Sequence, residues 1–522
     1  MRFDYTVRVH QIPVYTGADD QGLYVIRQDM SGGVNTQQNG IRIKENQAVL
    51  LYNIDIGIPG QSDKRPGLTL IEDLGAAKGV GLFGFEPDGG TNELLAFEST
   101  NLKGYIGSGT FTTHDSGFTA NHLTYCVKCL VSGGLGEVVI IQNGTDNAHQ
   151  MLQDHTVADL GDSADDAPVS IANLFFRGRL WVLKNGLLYW SDAYPTDTYD
   201  GGFNRATDNF KIPCGAERAL IGIRDQGIIC VGADSIWGIN PSVAPAAADK
   251  AEKLLDIGCV APKSVVQVGD DVYFMSPDGI RALFRTIQDK VQLGQSYPLS
   301  YVIKDNFDNI NWAYIQNASA VYFDNKYFFS VATGSSTYNN EVWVYYPSIQ
   351  AWTIITGWNV ADWAVVKFGG EEQLFAIESS ADGKVYRAWY GYDDNGTAIN
   401  YQEDGRIEDL GQPFVKKVAG EVEIKAQTSG NYDVDVYAQF DGNGWQLLGV
   451  INLRGNSNVL PIASLPFILE DSNVIREKFH LDSYGPWRTI QLRLQHNDTN
   501  GTDTIRILER NVITFPEEYL SE

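Results

Sequence analysis

Short apolar runs rich in aromatic and β-branched residues, punctuated by Gly, Asn and Asp, follow one another along most of this chain. The clearest unit is Asn173 to Asp192, NLFFRGRLWVLKNGLLYWSD. Its runs Leu174 to Phe176, Leu180 to Leu183 and Leu187 to Trp190 are too short for helices and have the composition of strands. Arg177-Gly178 and Asn185-Gly186 separate them. An Asn-Gly pair between two apolar runs suits a type I′ hairpin, whose central residues both take positive φ. The unit therefore predicts an antiparallel meander.

The same pattern recurs. It restarts at Ala219 (ALIGIRDQGIICVGADSIWGI), Ser264 (SVVQVGDDVYFMSPDGIRALF), near Ala318 (SAVYFDNKYFFSVAT, with EVWVYYPSIQAWTII from Glu341) and at Trp363. Weaker copies begin near Val80 and Tyr125. Successive starts lie roughly 45 to 54 residues apart, the period of a four-stranded propeller blade. The fold expected is all-β: a β-propeller of about seven four-stranded blades over residues 79–400, followed by a small C-terminal β-sandwich. Trp181 and Trp237 fall on strands of these copies and read as packing between blade sheets.

The flanks differ from the repeats. Residues 1–78 precede the blades and form an N-terminal segment, in which Arg2 to Tyr15 alternates weakly as a strand with Phe3, Tyr5, Val7 and Val9 on one face. Residues 401–522 lose the blade period. There, Glu421 to Gln427, Tyr432 to Ala438 and Thr489 to Gln495 alternate strictly, as strands with one wet face do, and Asp441-Gly442-Asn443-Gly444 marks a hairpin. Ala244 to Leu255, APAAADKAEKLL, has the composition of a helix between blades four and five.

Composition places the 522-residue chain among ordinary soluble globular proteins, with 43% hydrophobic and 20% charged residues. No apolar run approaches the roughly 18 residues of a membrane helix, and MRFDYTVRVH lacks the apolar core of a signal peptide. Five cysteines, an odd number, predict free thiols formed in a reducing compartment. The closest pair, Cys126 and Cys129, has no second Cys or His pair at zinc-finger spacing. Charge changes the picture most: 39 basic against 65 acidic residues leave −26. Such a chain repels polyanions on average, which argues against gripping DNA by its phosphates.

Candidate chemistry is sparse. Gly79-Val80-Gly81-Leu82-Phe83-Gly84 spells GxGxxG, but a turn, EPDGG, follows where a dinucleotide site needs a helix. Asp154, Asp159, Asp162, Asp165 and Asp166 crowd one loop without EF-hand spacing, and read as a solvated acidic loop. Asp393-Asp394-Asn395-Gly396 reads as a turn. The seven histidines are scattered, with no HxH or HxxxH pair, and no Asp-box of the sialidase kind is present. The sequence thus assigns no catalytic, cofactor-binding or metal-ligating residue, and a non-enzymatic protein without cofactor is expected.

The head of the chain carries the most recognisable motif: Gly32-Gly33-Val34-Asn35-Thr36, then Asn53 in LYNID, then Lys64-Arg65-Pro66-Gly67. A Gly-Gly-x-Asn-Thr run, a spacer ending near Asn and an Arg-x-Gly exit ahead of a propeller resemble the opening of tailed-bacteriophage virion proteins, the tail nozzle or hub and packaged-DNA stabilisation proteins. The matching positions are Gly32, Gly33, Asn35, Thr36, Asn53, Arg65 and Gly67. The resemblance implies a structural protein of the virion tail, assembled in the host cytoplasm as a ring of identical subunits, commonly six. Its neighbours would be other tail proteins such as the adaptor and fibres, with DNA passing through an acidic lumen without tight binding. The alternative is a receptor- or glycan-binding propeller adhesin, which would cluster exposed aromatics on one face.

Overall fold

The computed structural model describes residues 10–16, 19–223, 227–246, 249–411, 413–427, 433–453, 474–496 and 504–516. Seven antiparallel blade sheets stand among them, and the protein is a β-propeller joined to a β-sandwich. The first strands of the blades begin at Gly79, Tyr125, Ala172, Glu217, Val266, Ser319 and Val360, close to the starts expected from the repeat. Blade three shows why local sequence suffices. Its strands Ala172–Phe176, Arg179–Lys184 and Leu187–Trp190 are joined by two-residue loops. Asn185 and Gly186 take φ of 51° and 73°, the I′ geometry their types permit.

Trp181 is buried in the second strand of that blade, donates its Nε1–H to the Phe176 carbonyl at 3.0 Å, and packs on Trp190 and Phe210. Blade five has three strands, after which helix Leu283–Leu293 packs against its second strand. Blade seven is completed from far away in sequence. Its strands Val360–Phe368, Glu371–Glu378 and Lys384–Ala388 take Leu68–Asp73, from the head of the chain, as the fourth.

The first strands pack side by side around the ring, and Gly79–Phe85 of blade one lies against Val360–Phe368 of blade seven to close it. This closure explains the GxGxxG run. A Cβ on Gly84 would lie 2.4 Å from the Val365 carbonyl oxygen, and one on Gly79 would lie 2.3 Å from the Ile377 side chain. The glycines admit a neighbouring sheet, not a phosphate.

The sandwich is built from both ends of the chain. One sheet runs His10–Thr16, Asp19–Gln28, Arg506–Pro516, Lys417–Gln427 and Val474–His480, with Ser62–Lys64 attached. The other continues blade six: Ala351–Thr356 meets Leu50–Tyr52 in parallel, followed by Gln402–Asp404, Ile490–His496, Asp433–Phe440 and Gln446–Asn452. The described part of residues 1–78 is therefore shared among three sheets. One apolar core runs from Phe328 and Trp343 of blade six to Val422, Val434 and Leu492 of the sandwich. Phe3, Tyr5, Val7 and Val9 lie outside the described residues.

The helix expected at Ala244 to Leu255 is not formed. Ala251–Leu255 is the fourth strand of blade four, paired with Ile236–Ile239. An unsatisfied sheet edge outweighs the helix propensity of Ala, Lys and Glu, which amounts to a few tenths of a kcal/mol per residue.

Replacing Gly84 by Val should wedge the closing blades apart. Overpacking of this kind costs about 1–3 kcal/mol, so a lowered denaturation midpoint is expected. Gly444→Ala, where a Cβ meets nothing within 4 Å, should leave the midpoint unchanged.

Candidate functional site

The motif residues at the head of the chain fall into two clusters that fasten this segment to blade six and to the loop after blade seven. In the first, Gly33 has φ +69°, and a Cβ there would sit 2.6 Å from the Trp352 backbone nitrogen. That close approach lets Val34 donate its N–H to the Trp352 carbonyl at 2.9 Å. Gly32 donates to the Asn46 carbonyl, and Asn35 donates its amide to Gln47 Oε1 at 2.8 Å. Thr36 donates its N–H to the Val302 carbonyl, and its hydroxyl oxygen accepts from the Asp305 N–H at 3.0 Å.

The second cluster surrounds Arg65, whose side chain is fully buried. Its guanidinium grips Asp394 with both arms, at 2.9 and 2.7 Å, lies 4.4 Å above the Trp358 ring, and donates Nε–H to Asn53 Oδ1 at 3.0 Å. Asn53, at φ 60°, turns its amide to Thr356 Oγ1 and the Asn400 carbonyl. Trp358 donates to the same Asp394. Gly67 passes so close to Asp393 that a Cβ would lie 1.7 Å from its carbonyl oxygen. The turn Asp393-Asp394-Asn395-Gly396 is thus the acceptor of this clamp, a role that turn chemistry alone does not reveal.

A second buried arginine reinforces the joint. Arg510 of one sandwich sheet forms a paired contact with Glu403 of the other and donates to Ser62 Oγ at 2.8 Å. Tyr401 also donates to Glu403, at 2.8 Å.

At the hub of the propeller, where propeller enzymes gather their chemistry, a buried ion pair bridges the blades. Lys263, in the turn Pro262–Ser264 before blade five, pairs with Asp362 on the first strand of blade seven. Both side chains are more than nine-tenths buried. Asp362 also accepts the Leu82 N–H of blade one at 2.8 Å, and Lys263 lies 5.1 Å from the centre of the Tyr125 ring of blade two. Groups from blades that are not neighbours meet here, so they meet on the axis. Burial pushes the Tyr125 hydroxyl and the Cys126 thiol far above their ordinary range, which leaves both protonated and unreactive. Burial likewise raises Cys259, to about 11.

On one face, a cleft of 670 Å³ opens among the loops of blades six, seven and one. Tyr314, Tyr338, Asn121, Asn317, Asn339 and Ser379 line it, with Lys78 the charged residue among its lining. The acidic loop has partners for its carboxylates: Asp166 accepts from the Ser163 N–H within the loop and from the Gly201 N–H of blade three, and Asp162 pairs with Arg205 at 2.6 Å. Elsewhere Glu93, His114 and His155, far apart in sequence, bring their ligand atoms within 4.8 Å of one another. No histidine spacing signals that cluster.

No protein-family model matches the chain, and no curated protein matches it. Among solved structures, a catalytically inactive virginiamycin B lyase from Staphylococcus aureus with quinupristin is similar to it at 9% identity, over 63% of this chain and 99% of that one, with a TM-score of 0.39. BBS1N in complex with ARL6DN gives 13%, 62%, 97% and 0.36, and the N-terminal domain of Nup159 gives 8%, 65%, 99% and 0.33. Likenesses this loose carry no functional argument.

Arg65→Met removes the guanidinium and leaves the Asp394 carboxylate without its buried partner. Breaking a buried pair costs about 3–5 kcal/mol, so a large drop in the urea midpoint is expected. Lys304→Ala, which removes an exposed pair with Asp308, should leave the midpoint where it was.

Proposed function

We propose that this chain is a structural protein of a bacteriophage tail, a nozzle or hub subunit that assembles with copies of itself into a ring. The observation that carries this reading is the motif Gly32, Gly33, Asn35, Thr36, Asn53, Arg65 and Gly67, on which the resemblance to tail proteins rests. Asn35, Asn53 and Arg65 are buried, and the motif lies where propeller and sandwich join. It therefore acts in assembly by fixing the angle between two bodies rather than by offering a surface. A ring closes only if every subunit presents its two contact faces at one fixed rotation.

The conduit for DNA is then the lumen enclosed by the ring of subunits. Within each propeller the buried Lys263–Asp362 pair ties blades together. An excess of 26 acidic charges suits a lumen that holds DNA without adhering. With a Debye length of about 8 Å at physiological salt, such charge is felt only when the lumen is narrow. Val291 and Leu293 at the end of helix Leu283–Leu293, with Tyr297 and Tyr301 beyond it, are exposed and supply an apolar face for a neighbouring subunit. The reading is non-enzymatic, with the virion tail as the site of action and other tail proteins above and below.

One observation favours the second reading, a glycan-binding adhesin. The cleft lined by Tyr314, Tyr338, several amides and Lys78 has the aromatic and hydrogen-bonding character that sugars need.

Native mass and negative-stain images of the purified protein separate the two. Rings of uniform copy number support the tail reading. A monomer at all concentrations that binds a glycan array contradicts it.

A further inference from the structure

We propose that Glu93, His114 and His155 form a binding site for a divalent transition metal of the zinc class, which fastens blade one to blade two. Glu93 opens the second strand of blade one, Glu93–Glu98, and His114 lies on the fourth, Thr112–Ser116. His155 lies in the turn between His149–Met151 and Val157–Asp159 of blade two. Glu93 Oε1 is 2.7 Å from His114 Nε2, and Glu93 Oε2 is 3.0 Å from His155 Nε2. Two imidazoles and one carboxylate are the donor set of zinc and its neighbours. Calcium and magnesium prefer oxygen throughout.

Three departures from regular backbone build this cluster, each at a different place. The pairing of the fourth strand of blade one shifts register between Thr113 and Asp115, which leaves His114 as the extra residue of a bulge and re-aims its ring. Gly104, on the strand between Glu93 and His114, provides the room: a Cβ would sit 1.9 Å from Glu93 Oε1 and 2.1 Å from His114 Nε2. His155 takes φ +68°, a left-handed conformation uncommon for histidine. None of the three is needed to form a blade, and together they deliver three ligand atoms to one point.

Exposure fits an entry path. The Glu93 and His114 side chains are 3% and 5% exposed, whereas His155, at the rim, is 41% exposed. The two imidazole rings are parallel, 4.1 Å apart, so coordination requires His155 to tilt until both Nε2 lone pairs converge. Water fills the remaining position of a tetrahedral site. Since the ligands come from two blades, the ion acts as a cross-link between them. The contrasting possibility is a Glu93 carboxylate that serves only as a hydrogen-bond clamp between two rings.

The test uses the full chain, treated with chelator and dialysed, then titrated with Co²⁺ as a spectroscopic probe. Uptake of one Co²⁺ per chain is expected, with visible d–d bands that Zn²⁺ abolishes and a thermal midpoint that rises with Zn²⁺. His155→Asn keeps a residue type at ease with positive φ and removes one ligand. It should weaken binding by about tenfold or more and abolish the Zn²⁺-dependent rise measured against the variant's own midpoint in chelator. His122→Ala, outside the cluster, should bind as the parent does. Failure of the parent chain to take up Co²⁺, or uptake that His155→Asn leaves unchanged, overturns the proposal and leaves the clamp.

Discussion

A single buried cation holds the architecture together. Arg65 has no contact with water, so its charge is tolerable only because Asp394 meets it with both carboxylate oxygens and Trp358 and Asn53 occupy its remaining faces. Those partners come from the loop after blade seven, the segment after blade six and the head of the chain. Brought around one guanidinium, they fix the direction in which residues 68–73 leave to complete blade seven and residues 50–52 leave to extend blade six. The clamp thus ties the head of the chain to blades six and seven, beside the packing of blade one on blade seven that closes the ring, and Arg510 with Glu403 repeats the device between the sandwich sheets.

What was legible in the sequence is what is local. Strand alternation, Asn-Gly turns and the blade period depend on neighbours within a few residues, so the starts at Tyr125 and Asn173 fell within a residue of the observed strands. What was hidden is long-range. Nothing near Leu68–Asp73 marks it as the fourth strand of a blade nearly three hundred residues on, or shows that Leu50–Tyr52 splices blade six into the sandwich. Helix propensity misled at Ala244 to Leu255, because the edge of blade four was available. Helix Leu283–Leu293 was concealed behind the strand pattern of GIRALF. Among site residues, the motif glycines and Arg65 were visible as a pattern. Asp394 looked like an ordinary turn former, and Glu93, His114 and His155 carry no spacing signal because a bulge and a left-handed residue assemble them.

The same constraint shapes the functional reading. The buried Lys263–Asp362 pair ties blades of the propeller to one another near its hub. A rigid block with a fixed angle to its sandwich is what a closed ring of subunits requires. In the proposed ring, the excess of acidic over basic residues is what would keep the lumen from binding nucleic acid. In this account the chemistry of the chain lies in its joints.

Native-state hydrogen exchange on the intact chain tests most directly whether the clamp makes propeller and sandwich one body. The account predicts that amides of 351–356 in blade six and of 490–496 in the sandwich exchange through one common opening, with the same denaturant dependence. Sandwich amides that exchange through a separate, lower-energy opening while blade six stays protected would contradict it.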